Sequence, residues 1–383
     1  MKNGGYLLLC FGDNAWGRAA LARELGEDIG RLGRDVRVVC GTAGAGAFDG
    51  SDLAMEIIPN LPGALLKLYF EDLLDRLEPV GVVFCDGDSV LHALRQVKLD
   101  PALFARTGAR VLAVDTWSHA ETGLEADVFG DGKRALESWP EWLNPIRIAP
   151  LCRTQDGEEV CSGLFHPPAE RPPREAIDRS YAMVSTSPWQ HADLEDERGA
   201  VVQREVPGLI AAAVGEVEGL DLVHAGAEPL PGFQSLGSRY RWVGALPPAD
   251  YMRLLSRSAV YLSLSPVCAS QAKALGAGVP VILVQHIDSG VGRTVLPYPF
   301  RIWPLGYSRF LEPVLSRNPL LKAVTVAELS RPGSLICALR DLTSEGAARC
   351  RSLERQASYV ESLRAMPRAG SYVIEKSEAQ LTI

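Results

Sequence analysis

Twice along the chain a short run of apolar residues, unbroken by polar alternation, is followed by a helical pattern and then by another apolar run. The first begins with Tyr6–Phe11 (YLLLCF), the second with Tyr181–Ser185 (YAMVS). Strands of this kind are buried on both faces, which requires a parallel sheet with helices on either side. The first series reads as strand Tyr6–Phe11, helix Trp16–Leu32, strand Asp35–Cys40, helix Leu65–Leu77, strand Gly81–Cys85, helix Val90–Gln96 and strand Arg110–Asp115. The second reads as strand Tyr181–Ser185, helix Val206–Val217, strands Leu220–His224 and Tyr240–Val243, helix Ala249–Ser256, strand Val260–Leu264, helix Ser270–Gly276 and strand Val279–Val284. Each series is a βαβ-type start, so the pattern predicts an α/β protein with two Rossmann-like domains in tandem.

Between the two series the prolines crowd together, as Trp139-Pro140, Asn144-Pro145, Pro167-Pro168 and Pro172-Pro173. Proline fixes its own φ and pushes the preceding residue toward extended conformations, so this stretch favours linkers over packed helices. The expected division is an N-terminal domain over 1–150, a Pro-rich linker over 151–179, a C-terminal domain over 180–345, and a tail over 346–383. In that tail a long amphipathic helix, Ala347–Ala365, is expected to return toward the N-terminal domain. A length of 383 residues suits two such domains.

Charge narrows the partners. With 39 Lys+Arg against 47 Asp+Glu the net charge is −8, which gives no global positive field for a phosphate backbone, and no local basic patch stands out. Nucleic acid is therefore not expected as a partner, and small molecules are. The apolar stretch Tyr6–Phe11 is too short for a signal sequence or a membrane span, so the expected location is cytoplasmic, with no membrane association. The eight cysteines form no CxxC pair and sit mostly in apolar runs, where a thiol behaves as a small hydrophobe; neither zinc nor disulfides are expected.

The densest pattern runs from Arg241 to His286. It contains Val243-Gly244-Ala245-Leu246-Pro247, then Leu262-Ser263-Leu264-Ser265-Pro266, then Ala274-Leu275-Gly276-Ala277-Gly278-Val279-Pro280-Val281. In order and spacing this resembles the donor-binding domain of glycosyltransferases with GT-B architecture, two Rossmann-like domains facing across a cleft. Together with FRIWPLG at 300–306 and RNP at 317–319, it is also similar to an uncharacterised glycosyltransferase-like family of bacterial natural-product pathways. The resemblance implies transfer of a sugar from a nucleotide-sugar donor to a small natural-product acceptor, with no cofactor besides that co-substrate and no metal.

The donor side can be argued from the residues as well. A helix beginning near Ser270 aims unpaired N–H groups and its positive dipole end at the loop 265–269, a ready anion site; Ser270 also fits a plain helix cap. On the resemblance, the donor phosphates would lie over Ser265, Cys268, Ser270 and Gln271, the base near Trp242 and Val243, and the sugar near Gln285 and His286. The stretch Ser185-Thr186-Ser187-Pro188-Trp189-Gln190-His191 at the end of the second domain's first strand offers hydroxyls to a phosphate and Trp189 to a base or sugar, or is a capped turn with a packing indole. Lys273 stands where these transferases usually carry the Glu that binds the ribose hydroxyls. An ammonium has no acceptor, so that contact cannot be made; Lys273 either meets a phosphate or is a solvated helix lysine. Pro266-Val267-Cys268 replaces the usual His-Gly-Gly.

On the acceptor side, strand order brings three loops to one sheet edge. Asp13, Asn14 and Trp16 follow the first strand, Asp86 and Asp88 the third, and Trp117 and His119 the last. The resemblance implies a base there to take the acceptor proton, Asp13 first and His119 second; Asp13 fits equally as a helix cap. Asp86-Gly-Asp88 alone is a weak cation site, and metal is not expected. Gly41, Gly44, Gly46 and Gly50 do not form GxGxxG, so no nicotinamide cofactor is implied. Two other readings remain: a sugar-nucleotide epimerase, and a catalytically degenerate binding protein, which the Lys273 exchange favours.

Overall fold

A computed structural model of the protein describes residues 5–10, 15–58, 63–85, 101–115, 144–147, 181–186, 197–264, 269–285, 322–325, 334–365 and 368–378. The chain divides into two compact units, one formed by 1–166 with 366–383, the other by 167–365.

The first unit is built on β1 (Tyr6–Cys10), α1 (Ala15–Arg31), β2 (Val36–Gly41), β3 (Ala54–Ile58), α2 (Gly63–Leu77), β4 (Gly81–Phe84), α3 (Pro101–Thr107), β5 (Arg110–Asp115) and β6 (Asn144–Arg147). All six strands pair in parallel, in the order β3-β2-β1-β4-β5-β6. The unbroken apolar run of β1 is explained by its central place. Leu7 and Leu9 pack with Phe70, Leu73 and Leu74 of α2, while Tyr6, Leu8 and Cys10 pack with Leu25 and Ile29 of α1. The glycine-rich segment after β2 is a 3₁₀ helix, Thr42–Phe48, with Ala47 and Phe48 buried and the Ala47 carbonyl bound by Arg23 at 2.9 Å.

The second unit contains β7 (Tyr181–Ser185), α4 (Glu197–Gly215), β8 (Asp221–Ala225), β9 (Tyr240–Gly244), α5 (Pro248–Arg257), β10 (Val260–Ser263), α6 (Ala269–Ala277), β11 (Val281–Gln285), β12 (Lys322–Thr325), α7 (Ser334–Thr343) and α8 (Ala347–Arg364). Its sheet is parallel too, ordered β12-β11-β10-β7-β8-β9. Numbered from each unit's own first strand, both sheets read 3-2-1-4-5-6, the doubly wound Rossmann order. The fold class is thus α/β with two Rossmann-like halves.

Several elements differ from the sequence reading. α4 starts at Glu197 rather than Val206, because Pro207 stands inside it; the buried face Val206, Ile210, Ala211 and Val214 holds the helix together despite the missing N–H. The Pro-rich stretch contains β6, with Pro145 tolerated because β6 is an edge strand. The return to the first unit is not made by the helix over 347–364. Arg349 donates to the Ala259 carbonyl at 2.9 Å and Gln356 to that of Val279 at 2.7 Å, which fasten α8 within the second unit. A further helix, α9 (Ala369–Glu378), packs on α1 instead. Arg368 reaches the Asp28 carboxylate at 2.6 Å, Arg34 pairs with Glu378, and Gly370 lies so close to Asp28 and Ile29 that a Cβ there would meet backbone at 2.8 Å. Cys10, Cys40 and Cys85 are buried, but Cys337 and Cys350 are exposed. Among the described residues no helix is long and apolar enough to cross a membrane.

Candidate functional site

In a doubly wound sheet, ligands bind beyond the carboxyl ends of the strands where the strand order reverses. In the second unit that point lies between β7 and β10. Their last residues, Ser185 and Ser263, carry hydroxyls on one face, and Thr186 just past β7 carries one on the other.

On one face the Ser185 hydroxyl lies 2.6 Å from that of Tyr261 and takes a long hydrogen bond from Tyr251 at 3.4 Å. Beside it, the buried Gln271 amide donates to the Ser263 hydroxyl at 2.9 Å. This bond ties the start of α6 to the end of β10. The first N–H groups of α6 are thereby held next to the strand ends, a favourable setting for an anion.

On the other face Thr186, just past β7, and His224, next to last in β8, are fully buried and 2.5 Å apart through Oγ1 and Nε2. The other ring nitrogen of His224 lies 2.8 Å from the Tyr240 hydroxyl, and Phe233 closes the cluster edge-on. Burial pushes His224 down to about 4, so the ring is neutral at pH 7. Gly226 leaves this pair room: a Cβ there would stand 2.6 Å from the Thr186 hydroxyl and 2.8 Å from His224 Nε2. The pairing of β8 with β9 slips between His224 and Ala225, so that His224 faces Trp242 and Ala225 faces Gly244. Such a bulge re-aims side chains. Here Trp242 donates its indole N–H to the Gly226 carbonyl at 2.8 Å and remains 43% exposed, a large apolar surface beside a polar edge.

Of the donor-side residues singled out in the sequence, the structure brings Trp242, Val243, Ser270, Gln271 and Lys273 to this unit's strand ends and to α6. Gln271 is buried against Ser263, whereas Ser270 and Lys273 are half-buried and Lys273 forms no ion pair among the described residues. Gln285 closes β11 opposite Thr325. Ser187, Trp189, Ser265, Cys268 and His286 lie outside the described residues. So do Asp13, Asn14, Asp86, Asp88, Trp117 and His119; Trp16 is in α1. Thr186 belongs to the stretch Ser185–His191 singled out in the sequence, whereas His224 and Gly226 were missed. The available signal was strand order, which sets a lone His at the carboxyl end of one strand beside a Ser-Thr at the end of its neighbour.

Among the described residues no group of three His, Cys, Asp or Glu side chains is arranged to hold a metal. A pocket of about 260 Å³ lies between α6 and α8, lined by Leu275, Leu353, Gln356 and Val360 with Glu361 and Arg364 at hand. It adjoins the carboxyl end of α6, opposite Ser270, and the chemistry above lies elsewhere.

The fold is that of GT-B glycosyltransferases and their structural kin. Over 98% of this chain and 99% of the other, the protein is similar to glycosyltransferase VinC in complex with dTDP, with TM-score 0.58 and 14% identity. Over 98% and 100% it is similar to the glycotransferase of kitacinnamycin, with TM-score 0.57 and 14% identity. Over 100% and 96% it is similar to a putative UDP-N-acetylglucosamine 2-epimerase from Listeria monocytogenes, with TM-score 0.58 and 12% identity. By sequence the chain belongs to a family described as "Family of unknown function (DUF6365)", whose model matches residues 31–290 and 287–375. No curated protein matches it.

Proposed function

We propose that the protein is a glycosyltransferase that moves a sugar from a nucleotide-sugar donor to a small natural-product acceptor, without a metal. The observation that carries this is the carboxyl edge of the second unit's sheet, where polar strand ends and the start of α6 flank a Rossmann switch point, with the exposed Trp242 two strands from β7 in β9. Hydrogen-bond donors there suit a diphosphate, and a half-exposed indole suits the face of a base. VinC, of the same fold, is known in complex with dTDP, which supports a nucleotide ligand of this kind.

In this reading Ser187, Ser265, Cys268 and Ser270 hold the diphosphate, Trp189 and Trp242 flank the nucleoside, and Gln285 and His286 face the sugar. Lys273, one turn into α6, neutralises phosphate charge. Asn14, Trp16, Asp86, Asp88 and Trp117 take the acceptor. The acceptor oxygen attacks the anomeric carbon and forms the new C–O bond as the bond to the diphosphate breaks. Its proton passes to the Asp13 carboxylate, with His119 the second candidate base, and the charge on the departing diphosphate is met by preoriented N–H and O–H donors.

Calorimetric titration with dTDP, UDP and GDP tests the donor site, and mass spectrometry of reactions with the matching nucleotide-sugars and a panel of polyketide aglycones tests transfer. Absence of binding by all three nucleotides would overturn the reading. Binding without any glycoside product would leave a degenerate binding protein. The likeness to the Listeria epimerase favours a second reading, distinguished by isomerisation of UDP-N-acetylglucosamine with no acceptor present.

A further inference from the structure

The cavity between α6 and α8 lies within the second unit and takes no part in the chemistry proposed above. Its walls are Leu275 of α6 with Leu353 and Val360 of α8, and Leu275 and Val360 are buried. Ala357 and Glu361, which also line it, are exposed, so the cavity opens to solvent. One polar atom on its wall is not used by the fold. Gln356 is only 2% exposed, and its Nε2 donates to the Val279 carbonyl at 2.7 Å. A carbonyl accepts only from an N–H, so this bond settles which end of the amide faces Val279 and turns Oε1 away from it. Oε1 has no hydrogen-bond partner among the described residues. A buried acceptor left bare is costly, and the cavity that Gln356 lines is where a donor can reach it.

Charge and size narrow the ligand. Glu361 and Arg364, the charged side chains at the cavity, pair with each other at 2.6 Å, so their charges offset and the site favours a neutral molecule. An apolar cavity of roughly 150 Å³ takes a benzene ring. At about 260 Å³ this one has room for a ring with substituents. A contact made only to hold two helices together would be filled by larger side chains, whereas Gly276 and Ala357 leave the space open. We propose that the cavity is a separate binding site for a small neutral molecule with an apolar ring and a hydroxyl. The hydroxyl donates to Gln356 Oε1, and the ring packs on Leu275, Leu353 and Val360. This site does not depend on the donor reading.

Methyl-labelled protein is titrated with p-cresol and cyclohexanol, each matched by a hydrocarbon of the same shape, p-xylene and methylcyclohexane. Both alcohols should bind and give nuclear Overhauser contacts to the methyl groups of Leu275, Leu353 and Val360. Gln356→Met keeps the volume and removes the acceptor; it should lower the ratio of alcohol to hydrocarbon affinity about 5- to 30-fold. Ala357→Phe, at an exposed helix position, fills the cavity from its mouth and should abolish binding of all four compounds. With the methyl contacts, that variant decides the site even where Gln356→Met, having lost its bond to Val279, folds poorly. Failure of both alcohols to bind, contacts to other methyl groups, or binding that survives Ala357→Phe overturns the inference. An unchanged affinity ratio in folded Gln356→Met overturns it as well, because the cavity would then be an apolar void in which Oε1 takes no part.

Discussion

The two units share a strand order and differ at its working end. In the first, Cys40 next to last in β2, Cys10 at the end of β1 and Cys85 just past β4 form a buried row of thiols across three adjacent strands. Cys10 donates to the Val39 carbonyl at 3.5 Å, and its hydrogen bond with Cys40 holds the latter's thiol below the usual range. In the second, the same three positions lead to Ser185–Thr186, His224–Ala225 and Ser263; Thr186 is bonded to His224, Ser185 to Tyr261, and Ser263 accepts from Gln271. One edge is closed with small, weakly polar thiols. The other builds a polar network into the sheet itself. With a common topology, the side chains at the strand ends set the chemistry that each edge presents.

The largest expected effect separates catalysis in the first unit from binding in the second. Asp13→Asn should reduce turnover about 10²- to 10⁴-fold while leaving nucleotide affinity nearly intact. If turnover stays within a few-fold, the base is elsewhere, and His119→Asn is the next variant to measure.

A pH effect comes next and belongs to the second unit. His224 sits at about 4 in the folded protein against 6.5 for a free imidazole. The unfolded chain binds the proton more readily, so stability from this group is complete above pH 6.5 and is lost as pH falls toward 4. The loss amounts to about 3 kcal/mol. Urea unfolding of wild type and His224→Gln at pH 7 and pH 4.5 should show the wild type losing more; equal losses would mean that water reaches the ring.

Two glycines sharpen the contrast on a smaller scale. Gly41 ends β2 and Gly226 follows β8, each one residue beyond a strand pair aligned in register. A Cβ at 226 would press on Thr186 and His224, whereas one at 41 would meet nothing within 4 Å. Gly226→Ala should therefore destabilise by about 1–3 kcal/mol. Gly41→Ala, at φ −75° where any residue is at ease, should stay within about 0.5 kcal/mol in thermal unfolding. Comparable losses at both would erase the distinction between the two edges.

The sequence by itself determined the elements whose burial is complete. Tyr6–Cys10 and Tyr181–Ser185 read as central strands because an unbroken apolar run has only one place to go in an α/β fold, and the start of α6 beyond β10 followed from strand order. Elements with half-exposed or interrupted patterns did not show. β3 (AMEII) is an edge strand with Met55 and Ile57 exposed, β6 (NPIR) carries a proline, and α4 continues through Pro207. The residues at the site divide in the same way. Trp242 and Ser270 were legible because they stand in a recognisable stretch, but His224 within LDLVHA looks like any polar residue in a buried strand. Its importance comes from Thr186, 38 positions earlier, and Tyr240, 16 later, and only the packing of β7, β8 and β9 side by side sets them at hydrogen-bonding distance. Periodicity encodes which face a side chain takes; which groups share that face across neighbouring strands is decided by the tertiary register, because hydrogen bonds depend on contact in space rather than separation along the chain.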